Sequence, residues 1–343
     1  MSEKSERAAK GRSPLKIVLI VLICILAFIV VLLSAARAYF RLPVREYYKN
    51  SEKTFVIPGL SEGMVVQGLE YDKENSWFAI TGYRTDGKAS QVSFVEKSSG
   101  NEIKRLNLLN SDGSDFTGHV GGIAIHGGKM YIADSQGLVV YNYNDVIDTR
   151  NGEGIKAEGV FSTRSENDGM GVAFVYAEGD SLYVGEFHRE PNYTTPDSHK
   201  HTTAAGDSNT ALILLYNFDN EAEFGISPEI KAAYSIPSLV QGMCMDGSGR
   251  IYLSTSYGPA FSHVYVYGSA TPDGMITVLD QEVPLYVLDS SVLSNDIKLP
   301  PMSEEIVIVD GKLYTMCESA TDKYIFGKLT DAKYCYATDN KEY

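Results

Sequence analysis

The chain has one tryptophan, four cysteines and, beyond its first 40 residues, no surplus of basic charge. Each scarcity excludes something. Four cysteines in 343 residues make no disulfide framework. Cys24 falls in an apolar N-terminal run. Cys317 and Cys335 either pair or, like Cys244, pack as small buried thiols. The formal charge is −14, and because residues 1–40 carry six Lys/Arg against two Glu, the remainder carries −18. A body that acidic excludes nucleic acid as a partner, because such binding needs basic surface to displace counterions. It suits a domain outside the cytoplasm and attraction of cations to a focused site. A nucleophile elbow, a P-loop and a dinucleotide fingerprint are all missing. Gly118-His119-Val120-Gly121-Gly122 is no phosphate cradle, since no helix follows to supply a positive dipole. After residue 50 no helical period stands out.

What is present begins with an unbroken apolar run from Ile17 to Leu33, extended by Ser34, Ala35 and Ala36 and preceded by Lys4, Arg7, Lys10, Arg12 and Lys16. About 20 such residues cross a bilayer as a helix. The division expected is a cytoplasmic basic tail over 1–16, a transmembrane signal anchor over 17–38, a linker over 39–52 and an extracytoplasmic domain over 53–343. A cleaved signal peptide is the alternative, with Ala36-Arg37-Ala38 as its cleavage site.

The remainder is Tyr- and Gly-rich and repeats itself. A hairpin begins at Gln67-Gly68-Leu69, Gly121-Gly122-Ile123, Met170-Gly171-Val172 and Gln241-Gly242-Met243, and more weakly at Glu304-Glu305-Ile306. Phe78, Tyr131, Tyr183, Tyr252 and Tyr314 mark the second strand of the five copies. Third strands follow at 91–96, 138–143, 211–218, 263–267 and 334–337, and fourth strands at 103–108, 156–161, 230–236 and 283–288. The fifth copy ends without a fourth strand, and 53–60, which resembles 234–239, can supply it from the other end of the chain. The fold class expected is all-β: a five-bladed β-propeller of four-stranded blades, closed by the N-terminal strand. A sixth blade is not expected, since neither 188–210 nor 268–300 carries a second hairpin signal.

In such a ring the first strands line the central channel, and their leading residues form a mouth. Gln67, Met170, Gln241 and Glu304, with Asp168 two places before Met170, are the expected binding positions. Asp134, Glu186 and Glu318 lie at or beside ends of second strands. Carboxylates and amides in this number suit a hard cation such as calcium. His119 is the candidate general base. A second metal candidate lies in the long insertion 188–209, where His188, His199 and His201 gather near Glu186 as zinc-capable ligands.

Gln67-Gly68-Leu69-Glu70-Tyr71-Asp72, then Thr81-Gly82-Tyr83, then the strand from Val92 running into Glu102-Ile103, is similar to the first blade of the plant-type glutaminyl cyclases. That resemblance implies a five-bladed propeller with a structural metal, an activity that cyclises N-terminal glutamine, and Gln67 lining the site. Where that family carries its catalytic acid, this chain reads His119-Val120-Gly121-Gly122. The repeat also looks like that of the calcium-dependent lactonase and strictosidine-synthase-like propellers, which implies a channel-bound metal polarising a carbonyl. Two functions follow as expectations. One is a membrane-anchored module binding a ligand or protein at its channel mouth. The other is a metal-assisted hydrolase or acyl-transfer enzyme using His119.

Overall fold

The computed structural model describes residues 14–339, so most of the expected basic tail lies outside the described residues. The first element among the described residues is a helix, Pro14–Arg41, in which no side chain is buried. The expected linker 39–52 is largely helical. A 3-10 turn, Leu42–Val44, and a short helix, Arg45–Asn50, follow the long one, and a strand starts at Ser51. Packing holds this stretch to the body. Val44 and Tyr47 are buried, the Tyr47 hydroxyl shares a 2.6 Å hydrogen bond with that of Thr315, and the rings of Tyr47 and Tyr48 meet Tyr336 at 5.6 and 5.4 Å.

The body is all-β and built of antiparallel units. The first comprises Met64–Asp72, Trp77–Arg84, Gln91–Glu96 and Glu102–Leu109. The second comprises Ile123–His126, Lys129–Asp134, Gly137–Asn142 and Gly154–Ser162. In the third, Val172–Glu178, Ser181–Glu186, Ala211–Phe218 and Ile226–Ile236 pair in order. In the fourth, Val240–Met245, Ile251–Thr255 and Ser262–Tyr267 are followed by Leu293–Leu299. The fifth sets Ser303–Val309, Lys312–Cys317 and Tyr334–Asp339 beside the N-terminal strand Ser51–Val56. In that last pairing Ser51 faces Thr338 and Val56 faces Tyr334.

The first strands touch one another in a closed circuit: first unit to second, second to third, third to fourth, fourth to fifth, fifth to first. Alternating side chains fill the wedges between neighbouring units, as the period of a strand requires. Phe174, Met243, Tyr252, Leu253 and Ile306 share one cluster. Phe55, Phe78 and Tyr314 close the ring between the fifth and first units, with ring centroids 5.2 and 4.7 Å apart. Each large side chain buried this way contributes about 1.5–3 kcal/mol.

Two expectations are corrected. The outer strand of the fourth unit is Leu293–Leu299, not 283–288. The latter stretch belongs to a hairpin, Thr271–Val278 with Gln281–Val287, whose second strand pairs in parallel with the outer strand of the third unit. Its turn places a leucine at the first of two positions with a left-handed backbone. Leu279 and Asp280 both have positive φ, 48° and 61°, a geometry normally given to Gly, Asn or Asp. The turn is held because Leu279 N–H donates to Asp168 Oδ2 at 2.9 Å. The insertion 188–209 also contains a ribbon, His201–Thr202 paired with Ser208–Asn209.

All four cysteines are free; Cys244, Cys317 and Cys335 are buried thiols, so Cys317 and Cys335 do not pair.

Candidate functional site

The ring's mouth is where the backbone departs most from regular strand. In four units the first strand is bulged at its start, between Val66 and Leu69, Val172 and Phe174, Val240 and Gly242, and Ser303 and Ile306. Bulges re-aim side chains and occur at rims. Val120, Leu239 and Met302, each just before a first strand, have φ of 55°, 67° and 63°. For a β-branched residue such as Val120 this conformation costs on the order of 1–3 kcal/mol and persists only where the surroundings impose it. Here Thr81 Oγ1 donates to Val120 C=O at 2.9 Å and accepts from Gly68 N–H at 2.9 Å. The neighbour so presented is His119.

Below the mouth the axis is occupied by one side chain. Four copies of the repeat carry Gly68, Gly122, Gly171 or Gly242 where the fifth carries Glu305. Glu305 Oε2 accepts from Leu69 N–H at 2.7 Å and Ile123 N–H at 2.9 Å, and the Val175 N–H also lies close. The glycines make the room. A Cβ on Gly122 would lie 2.6 Å from Glu305 Oε1, and one on Gly242 2.5 Å from Glu305 Cα. Glu305 is 2% exposed, and burial pushes its carboxyl well above the ordinary 4.5.

Above it lies the candidate site. Glu304 is buried with a carboxyl oxygen, Oε1, that no protein group satisfies. It faces Glu318 within hydrogen-bond reach, and burial together with that like charge drives its pKa well above 4.5. Both influences push the Glu304 carboxyl toward its protonated form. Glu318 Oε1 accepts from the Tyr324 hydroxyl at 2.6 Å and the Tyr83 hydroxyl at 3.3 Å. Burial and Glu318 raise both phenols, so both remain donors. The Lys323 ammonium donates to the Tyr83 oxygen and lies 3.9 Å from Glu318.

His119 stacks on Tyr83, ring centroids 5.0 Å apart and 28° between planes. Its ring is open to solvent from the mouth yet walled by protein. The lost hydration lowers its pKa, Glu318 and Asp134 oppose that, Lys323 assists it, and the net shift is downward. The His119 imidazole, the Glu304 and Glu318 carboxyl groups and the Tyr83 and Tyr324 phenols thus share one wall.

Of the expected mouth residues, the fold brings His119, Glu304 and Glu318 together, with Asp134 near enough to act on His119 electrostatically. The others fall elsewhere. Gln67 is buried and donates to its own neighbour, Val66 C=O, at 2.8 Å. Met170 is fully buried in an apolar cluster, so it is core and not rim. Gln241 is half-buried within a bulge.

Asp168 and Glu186 are taken by His199, whose ring is 0% exposed. Its Nδ1 lies 2.9 Å from Glu186 Oε1 and its Nε2 3.1 Å from Asp168. Burial lowers the His199 pKa, but the two carboxylates outweigh it and the net shift is upward. With both ring nitrogens occupied, His199 is a tether for the 188–209 insertion and not a metal ligand. His188 bonds Thr195 at 2.9 Å and His201 bonds Asp273 at 2.5 Å, so these three histidines serve three separate contacts. Among the described residues no three His, Cys, Asp or Glu side chains are arranged to hold an ion. The calcium set Asp134, Glu186 and Glu318 and the zinc set are both corrected on that geometry.

Tyr83, Lys323, Tyr324 and Glu305 were missed from sequence. The usable signal for Glu305 was its standing in a glycine's place, and for Tyr83 its position two residues past Thr81.

An all-β body of antiparallel units around a ring of first strands belongs to the β-propeller class. No family model matches the chain, and no curated protein is similar to it by sequence. Solved structures to which it is similar include the PQQ-bound aldose sugar dehydrogenase of Streptomyces coelicolor, at 13% identity over 83% of this chain and 95% of that one, TM-score 0.44. The glutaminyl cyclase of Myxococcus xanthus is 11% identical over 84% and 94%, TM-score 0.40. BamB of Moraxella catarrhalis is 9% identical over 81% and 84%, TM-score 0.32. At such distances no activity transfers.

Proposed function

We propose that the chain is a membrane-anchored five-bladed propeller, extracytoplasmic and held by its N-terminal helix, that binds a ligand presenting an N–H donor or ammonium group at the mouth. The observation that carries this reading is the unsatisfied Glu304 Oε1, buried beside Glu318 under the accessible His119. Leaving a buried acceptor without a donor costs about 1–3 kcal/mol, a cost that a donor-bearing ligand removes. The stacked Tyr83 and His119 rings supply an aromatic wall for such a group.

The test is thermal unfolding of the detergent-solubilised full chain against a panel of primary amines, amidines and peptide N-termini. A ligand at a hundred times its Kd stabilises by about 2.7 kcal/mol. Glu304→Met, which removes the acceptor at similar volume, is expected to abolish the ligand-induced rise in Tm while the unliganded chain still unfolds cooperatively. No response to any member of the panel, or an undiminished response in the variant, rejects the reading.

A second reading rests on His119. An imidazole kept neutral at an open mouth can accept a proton, which is what a hydrolase or acyl-transfer enzyme needs of its general base. Turnover of an acyl substrate lost in His119→Ala, with binding retained, separates the enzyme from the binding module.

A further inference from the structure

The N-terminal helix and the mouth share one face of the body. Glu318, Lys323 and Tyr324 belong to the connection 318–333, between the second and third strands of the fifth unit. The helix end packs on that same connection and on its counterpart in the fourth unit. Phe40 stacks on Phe326 at 5.8 Å, Arg41 lies 3.4 Å from Asp331, and Tyr39 meets Phe261 at 6.0 Å. Before Ala36 the helix is exposed along its whole described length.

The helical rise then sets a depth. About 20 residues cross the hydrocarbon core, which puts its edge near Ala36 if the span starts at Ile17. Tyr39 and Phe40 lie three and four residues further, about 5–6 Å at 1.5 Å per residue. The headgroup layer is about 5–8 Å thick on each side. The loops touching Tyr39 and Phe40 therefore fall within that layer.

Their surface suits it. Ile325 is 87% exposed, and Tyr39 and Leu42 are each 64% exposed, on a body that otherwise carries a large negative charge. Lys298 lies 4.7 Å over the Phe261 ring and Lys333 5.1 Å over Tyr334. Among the described residues neither of these lysines, nor Arg37, is paired with a carboxylate. Aromatic rings with cationic tips are the side chains that favour a membrane interface. A cleft of about 570 Å³ opens beside the helix, and its lining mixes Arg37, Lys328 and Lys333 with Glu62, Asp322 and Asp331.

We infer that the mouth-bearing face of this domain seats in the phospholipid headgroup layer, with its unpaired Arg37, Lys298 and Lys333 against lipid phosphates. This inference rests on the helix being a membrane anchor. It makes the candidate site one that opens at the membrane surface, so that its ligand arrives along or from the bilayer.

The experiment uses the full chain in phosphatidylcholine vesicles containing phosphatidylglycerol, with environment-sensitive fluorophores on single cysteines. Native Cys24, in the helix, reports insertion. Ile325→Cys and Ala260→Cys, each with Cys24→Ser, report the mouth face, and Ser248→Cys reports the opposite turn. Nitroxides on lipid headgroups are expected to remove most of the emission at 325 and 260 and little at 248. Equal, weak quenching at all three positions, while Cys24 is quenched by chain-borne nitroxides, overturns the inference and leaves the anchor standing. No quenching at Cys24 overturns the anchor itself. Shielding of position 325 from a water-soluble quencher without quenching by lipid means that a second copy or another protein covers the face, which also overturns it.

Discussion

Replacing Glu305 tests whether one side chain ties the ring together. Its Oε2 accepts the Leu69 and Ile123 N–H groups, from the first and second units, at 2.7 and 2.9 Å. Glu305→Ala removes the acceptor of both N–H groups in a buried place. Each orphaned N–H costs about 1–3 kcal/mol, so the loss is about 2–6 kcal/mol, with water entering the vacated space setting the lower end. Against a total of about 5–15 kcal/mol that is a large share, and Tm falls by on the order of 10 °C. Glu305→Gln keeps a carbonyl acceptor of the same reach and loses about 1 kcal/mol. The pH dependence sharpens the comparison. The folded-state pKa of Glu305 is raised above 4.5, so its contribution is fully present below that pH and is lost as pH rises through the folded value. Glutamine does not titrate, so the gap between wild type and Glu305→Gln narrows from pH 5 to pH 8. The assay is thermal unfolding followed by circular dichroism at both pH values. Equal damage from Gln and Ala, or a gap independent of pH, would falsify the role given to this carboxylate.

Other outcomes follow from the same contacts. His199→Asn leaves Glu186 and Asp168 buried without their shared partner, at about 3–5 kcal/mol. Because the His199 pKa is raised in the folded state, its stabilisation is fully present below 6.5 and is lost as pH rises through the folded value. The variant's deficit is thus greatest in acid, and its 188–209 insertion is cut faster by protease; unchanged cleavage kinetics count against the tether. Gly242→Ala, whose Cβ would sit 2.5 Å from Glu305 Cα, costs about 1–3 kcal/mol by overpacking. Gly171→Ala at the equivalent repeat position, with its nearest atom 4.0 Å away, is close to neutral. Denaturant midpoints of the pair test this, and equal losses refute the steric argument.

The hairpins were legible because alternation of apolar and polar residues is local and each turn carries its own signal, as at Asp246-Gly247-Ser248-Gly249. The outer strand of the fifth unit was legible through the likeness of 53–60 to 234–239. What escaped was decided by partners distant in sequence. Leu279 is not a residue that announces a turn; the Asp168 carboxylate, over a hundred positions away, supports it there. His199 resembles a metal ligand until Glu186 and Asp168 occupy both its nitrogens. Met170 stands where a rim residue belongs by alignment, yet the approach to its strand buries it. Glu304 and Glu318 were legible as carboxylates at the mouth, but Tyr83, Lys323 and Tyr324 acquire meaning only where connection 318–333 folds over them.

The repeat breaks mainly in the fifth unit, and that is where chemistry becomes available. A ring of equivalent units offers every ligand several equivalent positions and so defines none. Here Glu305 replaces glycine and fills the axis, Glu304 brings a second acid above it, and connection 318–333 carries the groups that surround Glu318. The same connection receives the helix end through Phe326 and Asp331. Filling the axis with Glu305 gives the mouth a floor. One unit thus supplies the floor, the acids and the attachment point, and the other four supply the rigid walls that keep them in register.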